Sequence, residues 1–315
     1  MKNKKGIMLF SALLIVIFHL WIPVSIPQSQ AYEFEAFLKR ICYIGVDIFF
    51  FLSAYSYASK ERKFKDFILN RFKKIYIPFV VFSVVMLIYS SWDISRFLLT
   101  VSGVNLFIRG GGSFLWFIPA IMIVYLILPL YDRLYRKNSI LAPVIAFIVY
   151  FAVAATVTNL TNYTSIFIML NRFPIIIIGH LLAKKKVFEN LSDKKTLALG
   201  LLFFIAGFAI LYLTRNTFYS FIREFYYVVS IPLSMGCMML ISLVKPNRFI
   251  DSLGELTLEM YGLQMIFGGK IATAMFRLIS IKLLSNIATI VIVIALSFIV
   301  HILFNKVGEI KWQKA

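Results

Sequence analysis

The residues that could do chemistry in this chain are few, and they stand inside apolar runs. His19 lies about twelve residues into the run 7–24, and Asp47 about six residues into the run 41–58. Asn171 and Arg172 interrupt the run 165–183, and Trp116 stands near the start of the run 113–131. If successive runs cross a membrane in alternating directions, a rise of about 1.5 Å per residue puts all five in one depth band. A titratable side chain at such a depth is expensive and points to function by default. An imidazole with a pKa near about 6.5 is the natural general base for a hydroxyl at neutral pH. A carboxylate can orient it, and a guanidinium can hold developing negative charge. Each residue also has a plainer reading. His19 alone would serve as a histidine bonded to a neighbouring carbonyl, and Asp47 with Arg172 as a structural ion pair.

The elements that must position these groups follow from composition. The chain has 315 residues, 61% hydrophobic, 17% aromatic and only 15% charged, with a mean hydropathy of +0.87. A soluble domain carries roughly 25% charge and 45–50% apolar residues, so a soluble enzyme and a disordered chain are both excluded. Ten runs are long enough to span: 7–24, 41–58, 75–92, 113–131, 139–157, 165–183, 196–213, 225–244, 254–274 and 284–304. They lack the period-two alternation of a membrane barrel. The expected fold is all-α: a polytopic membrane bundle of about ten helices, one domain over 1–315 with no fused extramembrane domain. The stretch 97–108 is apolar but too short to cross, and is expected to be re-entrant or interfacial.

Basic residues set the orientation. With the N-terminus inside, 23 of the 33 Lys and Arg fall in cytoplasmic segments and 8 in outer loops, which predicts both termini in the cytoplasm. The same bias accounts for the net charge of +19 without a nucleic-acid partner, and the Lys60–Lys74 cluster reads as a topology signal in contact with anionic lipid. The basic N-terminus, its apolar run and Ser29-Gln30-Ala31 also fit a cleavable leader, against which the length of the run and the presence of His19 and Trp21 argue. Cys42 and Cys237 stand far apart in apolar segments, so neither a disulfide framework nor a metal site follows. Three histidines without ligand spacing give no metal site either. Gly110-Gly111-Gly112 reads as a flexible turn, and Asn159 and Asn162 match a short glycosylation pattern that is common by chance.

A second polar set lies toward the cytoplasmic side. Arg71 and Lys74, three apart, suit a phosphate-bearing ligand arriving from the cytoplasm; snorkelling toward the interface is the plainer reading. Ser53 and Tyr57 stand on the second run. Glu255 and Glu259, four apart, share a helix face. His180 and His301 read as structural.

Several of these segments, in order, resemble the acyltransferase 3 family of membrane acyltransferases. The family's first span ends in a histidine, here Leu13-Leu14-Ile15-Val16-Ile17-Phe18-His19. Its second carries an Asp-x-Phe-Phe-x-x-Ser-Gly pattern, here Asp47-Ile48-Phe49-Phe50-Phe51-Leu52-Ser53-Ala54. A basic loop runs into the third as Arg71-Phe72-Lys73-Lys74-Ile75-Tyr76-Ile77-Pro78. Trp116-Phe117, Tyr125 and Pro129 match the fourth, Arg172-Phe173-Pro174 through Gly179 the sixth, and Gly254, Thr257, Tyr261 and Gln264 the ninth. The chain departs from the pattern at Met8, where the family has an arginine, at Ala54, at Lys74, and at Gln264, where the family has a histidine.

The resemblance implies acyl transfer, usually acetyl, from cytoplasmic acyl-CoA to a hydroxyl of a surface or lipid-linked polysaccharide. It implies a multi-pass protein of the bacterial cytoplasmic membrane with no permanently bound cofactor. His19 is expected to act as general base or as covalent acyl carrier, with Asp47 orienting it and Arg172 stabilising charge. Arg71 and Lys74 are expected to bind the CoA phosphates, Ser53 and Tyr57 to line the donor passage, and Trp116, Asn171, Tyr261 and Gln264 to contact the acceptor. A separate extracytoplasmic partner protein would be an alternative recipient of the acyl group. Two rival functions stand beside this one: a transporter of a glycan or lipid-linked intermediate, and a non-catalytic family member. The first lacks the paired broken helices of inverted repeats; the second rests on Met8.

Overall fold

A computed structural model describes residues 1–60, 63–90, 92–108, 115–160, 164–215 and 218–312. Gly110-Gly111-Gly112 and Asn162 lie outside the described residues. The described chain is helical throughout, with no strand. In order, the α-helices are α1 (Lys4–Leu20), α2 (Gln30–Ile41), α3 (Gly45–Ala58), α4 (Phe64–Arg71), α5 (Ile77–Tyr89), α6 (Ile94–Val101), α7 (Asn105–Ile108), α8 (Phe117–Lys137), α9 (Leu141–Leu160), α10 (Thr164–Leu170), α11 (Phe173–Lys184), α12 (Val187–Asn190), α13 (Asp193–Leu213), α14 (Phe218–Ser242), α15 (Arg248–Glu255), α16 (Thr257–Leu263), α17 (Gly269–Leu278) and α18 (Lys282–Trp312). Two π turns, Phe72–Tyr76 and Gln264–Gly268, join α4 to α5 and α16 to α17.

Among the described residues, six helical segments are long and apolar enough to cross a membrane: Gln30–Ala58, Phe64–Tyr89, Phe117–Lys137, Ser165–Lys184, Asp193–Leu213 and Lys282–Lys306. Leu141–Val157 and Tyr226–Ser242 are apolar but shorter. Helix α1 is 17 residues long. The helical stretch from α16 through α17 carries Glu259, Gln264 and Lys270, which lower its hydropathy. The segment 97–108 folds as parts of two short helices, α6 and α7, rather than as a span.

The chain divides into two compact units. The first runs from Asp47 to Leu240, together with Met1. In it α8, α10 and α11 pack on α9, and α4 packs on α8. Helices α13 and α14 approach closely because glycines face each other's backbone: a Cβ on Gly207 would sit 2.6 Å from the Leu233 nitrogen, and one on Gly236 2.7 Å from the Phe204 Cα. Small residues of this kind drive helix association in lipid, where apolar burial gives no net force.

The second unit comprises Lys2–Val46 and Ile241–Ala315. Helix α1 is its centre, packed against α15, α16 and α18. Its start is capped by Asn3, whose side-chain oxygen accepts from the Gly6 amide at 3.2 Å while its amide donates to the Ile241 carbonyl at 3.2 Å. Lys5 pairs with Glu255 at 2.6 Å, and the Ser11 hydroxyl donates to the Gly45 carbonyl.

Candidate functional site

In the first unit the polar groups gather in three places. The deepest is Asp47 with Arg172. Asp47 stands in the first turn of α3, where the helix dipole favours a carboxylate. Arg172 caps α11, at the break that Pro174 imposes between α10 and α11. The guanidinium Nη2 lies 3.6 Å from Asp47 Oδ2, and the two side chains are 1% and 0% exposed. Nη1 donates to the Ile168 carbonyl at 2.7 Å. The guanidinium also lies over two rings, Tyr226 at 5.0 Å and Trp116 at 5.7 Å. Thus Trp116, Asp47 and Arg172 are brought together around one guanidinium. Asn171 is buried next in sequence.

Ser230 on α14 lies beside Asp47. Among the described residues, no hydrogen bond of ordinary geometry reaches either Asp47 oxygen, nor the buried hydroxyls of Ser230 and Ser234. Buried acceptors and hydroxyls left in this state call for a water or a ligand hydroxyl.

The second place surrounds Tyr125 on α8. Its hydroxyl is 3.1 Å from Ser53 Oγ. Arg71 lays its guanidinium over the rings of Tyr125, at 5.2 Å, and Phe67, at 5.4 Å. Tyr57 packs edge-on against Phe67 at 4.8 Å. Ser53, Tyr57 and Arg71 therefore share one neighbourhood. Lys74, on the π turn that follows Arg71, is exposed while Arg71 is half-buried. The π turn breaks the ordinary helical register between them.

The third place was not legible in advance. Asp132 Oδ1 accepts from His180 Nε2 at 2.9 Å and Lys184 Nζ at 2.8 Å, and its Oδ2 accepts from Arg136 Nε at 2.9 Å. The rings of Tyr131 and Tyr135 flank His180 edge-on, at 4.7 and 5.2 Å. The available signal was a pair of four-residue spacings, Asp132 to Arg136 and His180 to Lys184, which put each pair on one helix face.

His19, Tyr261 and Gln264 belong to the second unit. His19 is in the last turn of α1 and is the one exposed residue between Gly6 and Leu20. Its ring meets Phe18 edge-on at 5.2 Å. The segment that follows is fixed at every step. Glu35 on α2 accepts from Trp21 Nε1 at 2.6 Å, from the Val24 amide at 2.8 Å and from the Ser25 amide at 2.9 Å. Lys39 donates to the Trp21 carbonyl at 3.1 Å. The Asn286 side chain exchanges two hydrogen bonds with the Ile22 backbone, at 2.9 and 2.8 Å. Sequence reasoning missed Glu35 and Asn286; a polar Asn in the apolar run 284–304 was the signal for the second.

Gln264 opens the second π turn. It is 3% exposed, and neither of its amide atoms has a partner among the described residues. Tyr261, 8% exposed, stands one turn earlier. The turn comes close to the end of α1: a Cβ on Gly268 would lie 2.6 Å from Leu20 Cδ2. Glu259 pairs with His301 at 2.7 Å. No group of three or more metal-ligating side chains is assembled among the described residues.

The first unit holds a buried ion pair and the second an exposed imidazole, in a helical chain with segments long and apolar enough to cross a membrane. The particular class is given by a family model, described as an acyltransferase domain, that matches residues 9–306. The chain belongs to the acyltransferase 3 family and is a multi-pass membrane acyltransferase. Neither the curated proteins nor the solved structures compared with it gave a match.

Proposed function

We propose that the protein transfers an acetyl group from cytoplasmic acetyl-CoA to a hydroxyl of a surface or lipid-linked glycan, in the cytoplasmic membrane of a bacterium. The observation that carries this reading is His19: the one fully exposed residue between Gly6 and Leu20 of α1, in a chain of an acyltransferase family.

In this reading the chain crosses the membrane ten times with both termini inside. The excess of Lys and Arg in the segments then cytoplasmic supports that orientation. His19 takes the proton of the acceptor hydroxyl as its oxygen attacks the thioester carbonyl. The C–S bond breaks as the tetrahedral intermediate collapses, and the CoA thiolate leaves with the proton. Arg172 supplies positive charge to the oxyanion or to the sugar, and Asp47 keeps that guanidinium in place. The Asp47 carboxylate, beyond its ion pair, and the Ser230 and Ser234 hydroxyls offer acceptors and donors to a sugar. Trp116, Asn171, Tyr261 and Gln264 contact the acceptor. Arg71 and Lys74 attract the CoA phosphates, and Ser53 and Tyr57 border the path of the acyl arm.

The test is compositional NMR of the surface glycans of cells with and without the gene, and with His19→Ala. Loss of O-acetyl signal in the deletion and the variant is expected. Unchanged acetylation in the deletion would overturn the acceptor class, and unchanged acetylation in a normally expressed His19→Ala would overturn the role of the imidazole.

A further inference from the structure

Two serines on α14 keep their hydroxyls out of the bond that helical serines usually make. A hydroxyl inside a helix is commonly satisfied on the carbonyl four residues back. Ser83, Thr289 and Ser297, buried in their own helices, donate in this way at 2.9, 2.8 and 2.7 Å. Ser230 and Ser234 are 0% exposed, and neither hydroxyl has such a partner. Pro232 stands between them. It cannot donate to the helix ladder and interrupts it there.

The Ser230 side chain stands instead beside Asp47. Tyr226 is one turn earlier on the same face of α14, with its ring 5.0 Å from the Arg172 guanidinium. One face of α14 therefore meets both members of the Asp47–Arg172 pair. A hydroxyl, a carboxylate that can take its proton and a guanidinium that can steady an oxyanion are the parts an activated serine needs. The reaction above uses Ser230 only as a contact for a sugar, yet its surroundings are those of a nucleophile. Burial suits that role, because a serine ester kept from water is kept from hydrolysis.

We propose that Ser230 carries the acetyl group as a covalent acetyl-serine between donor and acceptor. This rests on the acyltransferase reading above and divides its single transfer in two. In the first half, Asp47 takes the Ser230 proton as Oγ bonds to the thioester carbonyl carbon, and Arg172 supplies positive charge to the oxyanion. The C–S bond then breaks, sulfur keeps the electron pair, and Asp47 returns the proton to it, so that CoA leaves as the thiol. In the second half, the acceptor oxygen attacks the serine ester. The bond from the acetyl carbon to Ser230 Oγ breaks, and the acceptor's proton ends on that oxygen. CoA can then depart toward the cytoplasm before the acceptor is engaged.

The experiment uses the purified full chain in nanodiscs, with acetyl-CoA binding as the control for folding. Without acceptor, radiolabelled acetyl-CoA should leave acid-stable label on the wild-type chain, and peptide mapping should place it on Ser230. Radiolabelled CoA should exchange into unlabelled acetyl-CoA under the same conditions, as a reversible acyl-enzyme allows and direct transfer does not. Ser230→Ala should bind acetyl-CoA, take no label and lose exchange by about a hundredfold or more. Ser230→Cys should still take label, held as a thioester that neutral hydroxylamine releases. His19→Ala, which lacks the base for the second half, should label and exchange. Label or exchange that persists in Ser230→Ala overturns the proposal, as does label mapped to His19. Glycan acetylation by a wild type that neither labels nor exchanges also overturns it, and leaves the acyltransferase reading standing. Label on Ser230 that no glycan accepts supports the acetyl-serine and counts against the glycan as acceptor.

Discussion

The buried pair Asp47–Arg172 makes a quantitative prediction. Both side chains are shut off from solvent, with Oδ2 and Nη2 3.6 Å apart. At an effective dielectric constant of about 20, charges at that separation attract by roughly 4–5 kcal/mol. Desolvation of both ions offsets much of that, so the net worth of the pair is small, while removal of one member strands the other. Arg172→Met leaves a carboxylate with no cation, at a cost of about 3–5 kcal/mol. Asp47→Leu leaves a guanidinium that keeps the Ile168 carbonyl and the rings of Tyr226 and Trp116, and should cost somewhat less. The double variant removes both charges and should recover most of the loss. The assay is a double-mutant cycle on reversible unfolding in mixed micelles. A coupling of about 4–5 kcal/mol is expected, close to the attraction worked above. Additive losses, with coupling below about 0.5 kcal/mol, would show that the two charges do not interact. The double variant should also regain stability without regaining acyl transfer, because the charge that Arg172 offers the substrate is gone.

Further outcomes follow from the same geometry. Arg71→Ala should weaken acetyl-CoA binding about tenfold, and Arg71→Glu more, in a competition assay; unchanged affinity would place the donor elsewhere. Asn286→Ala removes two hydrogen bonds from Ile22. It should cost about 1–2 kcal/mol in the same unfolding assay and lower kcat with little change in the KM for acetyl-CoA, since it loosens the chain just after His19. Asp132→Asn leaves two cations, Arg136 and Lys184, and the His180 ring around a neutral amide, and a destabilisation of about 3 kcal/mol is expected from chemical unfolding.

The helical fold was legible in the sequence wherever an apolar run was long and clean, as in 196–213, because lipid leaves the backbone no alternative to helix. It was less legible where polar residues interrupt a run. Glu259, Gln264 and Lys270 dilute the ninth, and the π turn at Gln264–Gly268 follows no periodicity that a single sequence displays. Depth arithmetic put Asp47, Trp116 and Arg172 at one level, and the structure brings these three side chains together. Depth carries no information on azimuth, so it could not tell that Arg71 turns toward Tyr125 while Lys74 stays exposed. The carboxylate of Asp132 stayed hidden for a related reason. It stands in a basic stretch, Asp132 to Lys137, that reads as a topology signal, and its histidine partner is 48 residues away. Nothing in the sequence singles out Glu35 and Lys39, although they fix the segment next to His19.

The central claim is that the His19 imidazole performs the transfer, and the most direct measurement is acetyl transfer by the purified full chain from radiolabelled acetyl-CoA to a lipid-linked glycan. His19→Ala should bind acetyl-CoA like wild type and lose label transfer by about 10²–10⁴-fold, the span expected of a general base. A folded His19→Ala that transfers label at the wild-type rate would contradict it.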